Sequence, residues 1–194
     1  ALVEPGAIQA AMAAIEGSAD IGAVGGRVLL ADGTLQEAGC LVWSDGGCHG
    51  YGRGDDPERG EYRFRREVDF CSGVFLLLRR AAFGAVGGFD EAFAPAYYED
   101  VDLCVRLREA GYRTLYEPDA VLRHYEFGSS AERAVALQQL ARPRFVAKHE
   151  AWLGRRPQPH LRNLLRARTV ERRGRQRILL VDDAVPHGWL GGGL

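Results

Sequence analysis

Lysine is nearly absent from this chain: Lys148 stands alone among 25 basic residues, and all the others are arginine. Against them stand 26 acidic residues, for a net charge of −1. That balance gives no bulk electrostatic reason to expect nucleic acid or an anionic surface as a partner. The cysteines are Cys40, Cys48, Cys71 and Cys104, and no two have Cys-x-x-Cys spacing. Neither a zinc site nor a redox pair is indicated, and reduced, mostly buried thiols are expected. No apolar run approaches the roughly 20 residues that span a bilayer. The start lacks the basic stretch of a secretory leader and opens almost directly into a helix. What remains, 194 residues of which 46% are hydrophobic, is enough for a sizeable core.

Along the chain, Glu4-Pro5-Gly6 opens a helix with Ile8, Met12 and Ile15 at helical spacing, ending at Gly17. Ile21 to Leu30 is apolar and interrupted by glycine, which reads as a strand, and Asp32-Gly33 as a turn. Leu41-Val42-Trp43 reads as a short strand. Ser44 to Gly60 reads as a long glycine-rich loop, either a solvated insertion or a binding loop on the acceptor side of a cleft. The pattern predicts a buried strand from Phe70 to Arg80, a short helix over Ala81 to Val86, and a helix from Glu99 to Ala110 stopped by Gly111. A strand at Thr114-Leu115-Tyr116, a turn at Glu117-Pro118-Asp119 and a second strand at Ala120-Val121-Leu122 follow. Then comes a helix from Glu132 to Leu153, broken at Pro143.

The run Tyr97-Tyr98-Glu99-Asp100-Val101-Asp102-Leu103 places three carboxylates at a helix start. Acids in a first turn stabilise a helix by about 0.3–1 kcal/mol through its macrodipole, so capping alone accounts for their presence. The chemical reading is that one of them faces a cleft as a general base. Asp102 has a local partner in Arg106, four residues on, where the two can pair on the surface; Asp100 has none, and so is the better candidate base.

Taken in order, Val68-Asp69-Phe70-Cys71-Ser72-Gly73, then Val86-Gly87-Gly88-Phe89-Asp90-Glu91, then Glu99-Asp100 and Gly111-Tyr112-Arg113 resemble the second half of a family 2 glycosyltransferase. The similarity is to rhamnosyltransferase-like members and runs from about Leu2 to Leu153. It implies an α/β chain with the GT-A fold: a Rossmann-like mixed sheet with flanking helices. The N-terminal nucleotide-binding half and its Asp-x-Asp motif are largely absent from this sequence. The resemblance implies Asp100 as the catalytic base with Glu99 beside it, and substrate contacts at Cys71, Ser72, Gly73, Trp43 and Asp102. It places His124 as a ligand of Mn²⁺ or Mg²⁺, or as a diphosphate contact, with a structural hydrogen-bonding histidine as the other reading.

The activity implied is inverting transfer of a sugar from a nucleotide-sugar donor to a glycan or lipid-linked acceptor, in cell-surface polysaccharide synthesis. The fragment alone is expected to be inactive. The alternative is an inactive nucleotide-sugar-binding or scaffold module. A cytoplasmic site of action follows, with peripheral membrane association on the cytoplasmic face and a homodimer as possible partnerships, and no nucleic acid. Three segments are expected: 1–153 as the acceptor-side part of the domain, 154–177 as an arginine- and proline-rich linker, and 178–194 as the first strand of a second, GT-B-type domain. Arg177-Ile178-Leu179-Leu180-Val181-Asp182-Asp183 with the glycines after it carries that last reading; a receiver domain's opening strand is the other.

Overall fold

The computed structural model describes residues 1–125 and 131–168. Eight strands run in chain order: β1 (Leu2–Val3), β2 (Ile21–Leu29), β3 (Leu35–Ala38), β4 (Cys40–Val42), β5 (Cys48–Gly50), β6 (Arg66–Val68), β7 (Leu76–Leu78) and β8 (Arg113–Arg123). The α-helices are α1 (Ala7–Glu16), α2 (Arg80–Ala85), α3 (Glu99–Glu109), α4 (Ala131–Lys148), α5 (Glu150–Leu153) and α6 (Leu164–Arg168).

The centre is a parallel ladder between β2 and β8, from Ile21 opposite Arg113 to Leu29 opposite Arg123. Short antiparallel strands flank it: β7 and then β3 pair along β2, while β6 and then β1 pair along β8. The result is a mixed sheet with flanking helices. β4 and β5 form a separate two-stranded ribbon.

The glycines of β2 set how closely other segments approach this ladder. A Cβ on Gly25 would lie 2.1 Å from Cys71 Cβ, and one on Gly26 would lie 2.2 Å from the Ala120 carbonyl oxygen. Side chains at either position would push the flanking segments off the sheet. Helix α1 buries Ala7, Ala11, Ala14 and Ile15, whereas Ile8 and Met12 are exposed. Small alanines are what allow a helix to lie close on the sheet, and of the three residues at helical spacing only Ile15 is buried.

Several predicted elements differ in extent. The strand expected over Phe70–Arg80 is confined to Leu76–Leu78, because Cys71-Ser72-Gly73 leave the sheet as a turn. The two strands expected around Glu117-Pro118-Asp119 are one, and that tripeptide is an irregularity where Gly26 pairs with Glu117 and Arg27 with Val121. Proline is tolerated there because the ladder bond it lacks is already interrupted. Helix α4 continues through Pro143 and breaks instead at His149. The Ser44–Gly60 loop contains β5, and Tyr51 within it is buried. Strand β3 has no counterpart in the sequence reading; its Gln36 and Glu37 are buried polar residues that spoil any apolar pattern.

Asp69 accepts hydrogen bonds from the Val42 amide, at 3.0 Å, and from Arg156. Arg156 also donates to the Val42 and Ala167 carbonyls, at 3.2 and 2.8 Å, and Arg168 lies over the Tyr51 ring. The arginine- and proline-rich stretch is therefore packed against the core as far as Arg168. Residues 169–194, where the second-domain strand was expected, lie outside the described residues. Cys40, Cys71 and Cys104 are buried free thiols, and Cys48 is exposed.

Candidate active site

Because Gly25 carries no side chain, the Cys71-Ser72-Gly73 turn lies directly over β2, and its next two amides each hold a carboxylate. The Ser72 N–H donates to Glu37 Oε1 at 3.1 Å and the Gly73 N–H donates to Asp100 Oδ2 at 2.8 Å. Asp100 Oδ1 also accepts from the Val101 amide at 2.7 Å. Both oxygens of Asp100 are thus oriented by backbone, and its carboxylate sits in the first turn of α3, where the helix dipole favours it.

The entry to α3 is strained. Tyr97 and Tyr98 have φ of 76° and 70°, left-handed values that cost a residue with a Cβ about 1–3 kcal/mol each. Tyr98 is held there by its hydroxyl, which donates to the Gly46 carbonyl at 2.9 Å, and by its ring, 5.2 Å from that of Phe145. The cost is met by these contacts, and Glu99 and Asp100 are turned to the cleft in consequence.

A cleft of about 870 Å³ opens here, with Ser72, Gly73, Tyr97, Tyr98, Glu99, Asp100, Gln36, His124, His49 and Arg53 on its walls. Burial pushes the Asp100 carboxyl above the usual range, with the Gly73 and Val101 amides pulling it partly back. Glu99 is also raised, by burial and then by the neighbouring charge of Asp100. Its Oε2 is buried with no hydrogen-bond partner, as is Ser72 Oγ. Buried Glu37 is raised by the same desolvation, against the opposing pull of the Ser72 amide. A carboxylate with raised proton affinity on a cleft wall is suited to accept a proton near neutral pH.

His124 stands across the cleft, its Nδ1 2.8 Å from Gln36 Oε1. Among the described residues no group of three or more His, Cys, Asp or Glu side chains converges to hold a metal ion. Taken alone, these residues do not fit a cation site.

The remaining expected site residues lie off this cleft wall. Trp43 is buried, its ring 6.5 Å from that of His49, which does line the cleft. Cys71 is fully buried, with its thiol on the Leu115 carbonyl. Asp102 is fully buried too, so its pairing with Arg106 is an interior rather than a surface contact. Burial alone would raise its carboxyl, but hydrogen bonds from His149, Lys148 and Arg106 outweigh it and hold the group below the usual range. Gln36 and Glu37 were not anticipated, since it is the pairing of β3 with β2 that brings them to the site; His49 and Arg53 lie in the Ser44–Gly60 loop, offered as a binding loop without any residue being singled out.

The family described as "Glycosyltransferase like family 2" matches residues 1–144. Over 65 residues the chain is 49% identical to the N-acetylglucosaminyl-diphospho-decaprenol L-rhamnosyltransferase of Mycobacterium tuberculosis, covering 34% of this chain and 21% of that protein. It is 32% identical over 148 residues to the O-antigen biosynthesis protein RfbC of Myxococcus xanthus, 73% of this chain and 11% of the other. The rhamnosyltransferase WbbL of Escherichia coli K12 is 47% identical over 58 residues, 30% and 22% of the two chains. The matched region spans less than a quarter of each of these relatives.

Proposed function

Because the chain belongs to glycosyltransferase-like family 2, we propose that the protein carrying it transfers a sugar from a nucleotide-sugar donor to a hydroxyl of a glycan or lipid-linked acceptor, with inversion. The observation that carries this reading is Asp100: a carboxylate on a cleft wall, oriented through both oxygens by backbone amides and raised in proton affinity by burial. The printed names of the relatives, two rhamnosyltransferases and an O-antigen biosynthesis protein, support polysaccharide assembly as the setting and a deoxyhexose as the first donor to try.

In a single displacement the acceptor oxygen attacks the anomeric carbon while the bond to the diphosphate oxygen breaks. The acceptor's proton passes to Asp100, which is worth about 10²–10⁴-fold. Glu99 and Ser72 line the cleft beside Asp100, and turning their buried Oε2 and Oγ outward would bring them to neighbouring hydroxyls of acceptor or donor. Gly73 contributes the amide that orients Asp100. His124, oriented by Gln36 on the cleft wall, is assigned as a contact of the donor's diphosphate or of a cation held there. A divalent cation would supply charge neutralisation at the leaving group, but no step here is routed through one, since the described residues do not make its site. No helix among the described residues is long and apolar enough to cross a membrane. Action at the cytoplasmic face, with peripheral attachment and self-association as added possibilities, belongs to the same proposal.

The test is sugar transfer by the full-length protein with a panel of nucleotide sugars and Mn²⁺, beside Asp100→Asn. The expected result is turnover that falls by about 10²–10⁴-fold in the variant with folding retained. Equal turnover would remove Asp100 from the chemistry, and no turnover with any donor would favour a binding or scaffold module.

A further inference from the structure

Asp102 does not face the cleft, yet three side chains end on its carboxylate, one from its own helix and two from the α4–α5 junction. Arg106 Nε donates to Oδ2 at 2.7 Å, while Lys148 Nζ and His149 Nε2 reach Oδ1 at 2.7 and 2.8 Å. The cations continue outward from it. Arg106 donates to the Val86 and Gly88 carbonyls, at 2.6 and 2.8 Å, which fixes the Gly-Gly loop. Lys148 Nζ also meets Asp90 Oδ2 at 2.6 Å, and Asp90 Oδ1 accepts from the Ala92 amide at 2.9 Å. The loop before α3, α3 itself and the α4–α5 junction are thereby tied to one residue of 0% exposure.

Two paths lead from this hub to Asp100. The Asp102 amide donates to the Tyr98 carbonyl at 2.9 Å, inside the first turn that carries Glu99 and Asp100. The His149 ring lies 4.8 Å from that of Phe145, which in turn lies 5.2 Å from the ring of Tyr98, the left-handed residue preceding Glu99. Hydrophobic contacts tolerate rotation of a helix about its axis, whereas the bonds that Lys148 and His149 make to this carboxylate, and that Arg106 makes to the loop carbonyls, do not. The stakes are geometric. A rotation of about 10° moves an atom roughly 6 Å from the axis by about 1 Å, and a misplacement of about 1 Å at a reacting group costs on the order of 10²-fold in rate.

We propose that Asp102 is a positioning residue: with Arg106, Lys148 and His149 it sets the rotation of α3, and through it the placement of Asp100 against the Gly73 amide and the acceptor hydroxyl. This rests on the proposed transferase reading for its kinetic consequence, but not for its structural one.

The experiment compares full-length wild type, Asp102→Asn, Asp100→Asn and the double variant. The expected result for Asp102→Asn is a kcat lower by about 10–100-fold, with KM for donor and acceptor within about threefold. The double variant should be no slower than Asp100→Asn, because an effect that acts through Asp100 vanishes once Asp100 is gone. Unchanged kcat, or losses that multiply in the double variant, would overturn the proposal. If Asp102→Asn fails to unfold cooperatively, Lys148→Met, which removes one donor from a side chain 33% exposed, carries the same comparison. Hydrogen exchange of the Gly73 amide is read in parallel. It should speed up by about tenfold or more in Asp102→Asn while amides of β2 stay protected, the sign of a local opening. Should the wild type transfer no sugar, the transferase reading falls and Gly73 exchange alone decides the role of Asp102. Exchange equal to wild type would then refute it.

Discussion

Replacing Gly25 with alanine tests whether the site is built from the sheet upward. The new Cβ would lie 2.1 Å from Cys71 Cβ, 2.4 Å from its sulfur and 3.4 Å from the Phe75 carbonyl oxygen. Carbon atoms settle at roughly 3.5–4 Å, so the turn or the strand must yield by more than about 1 Å. The strand cannot give easily, since β2 is paired on both sides, with Gly25 opposite Leu76 and Tyr116. The turn moves instead, and it carries the Gly73 amide, whose hydrogen bond to Asp100 is 2.8 Å long. Overpacking of a closed core costs about 1–3 kcal/mol, and misplacing the base costs about 10²-fold in turnover. Urea denaturation and transfer kinetics on full-length protein measure the two separately. Adding Cys71→Gly removes the clashing Cβ and should restore most of the turnover, less whatever the lost thiol contact to the Leu115 carbonyl contributed. Gly25→Ala with stability within about 0.5 kcal/mol of wild type and unchanged kcat would refute the reasoning. Failure of the double variant to recover would show that the turn is held by something other than this contact.

Three further outcomes are expected. Asp100 is a carboxyl raised by burial, so the folded state binds its proton more tightly than the unfolded one; wild-type stability therefore falls as pH rises through the window above the ordinary aspartate range. Asp100→Asn should be more stable than wild type at neutral pH and no different at pH values below that window, and a gain of equal size at both would contradict the assignment. Arg156→Met leaves Asp69, 2% exposed, with only the more distant Arg108 at 3.9 Å as a charged partner, and should cost up to about 3–5 kcal/mol at neutral pH by chemical denaturation. Burial already raises the Asp69 carboxyl and Arg156 opposes this, so the deficit should shrink in acid, where Asp69 can fold protonated; a deficit independent of pH would mean packing rather than charge. His124→Ala should raise KM for the nucleotide sugar by about tenfold, the worth of one hydrogen bond to a charged group, and change kcat less; a fall in kcat alone would move His124 away from the donor.

Much of the frame was legible. Glycine-interrupted β2, the short helix after Leu78 and α3 with its Gly111 stop follow from apolar spacing and turn residues, and the ordered motifs from Phe70 to Tyr112 pointed to the family. Local rules failed where tertiary contacts outweighed them. Pro118 sits in a continuous strand because the ladder bulges there, and Pro143 in a continuous helix whose buried face, Ala134, Ala141 and Phe145, packs on either side of it. Gln36 and Glu37 are polar yet buried, which no local pattern marks, because their partners, His124 and the Ser72 amide, are 88 and 35 residues away in sequence.

The acidic run divides the two kinds of information most sharply. Its sequence determined that Asp100 and Asp102 lie on nearly opposite sides of α3, since each residue of a helix turns the direction by about 100°. Spacing could not decide which side is the cleft. That was decided by the Gly73 amide approaching one face over Gly25, and by Lys148 and His149 at the α4–α5 junction bonding the carboxylate on the other. A buried carboxylate is stable only where donors from elsewhere in the chain converge on it, and such convergence is a property of the folded whole.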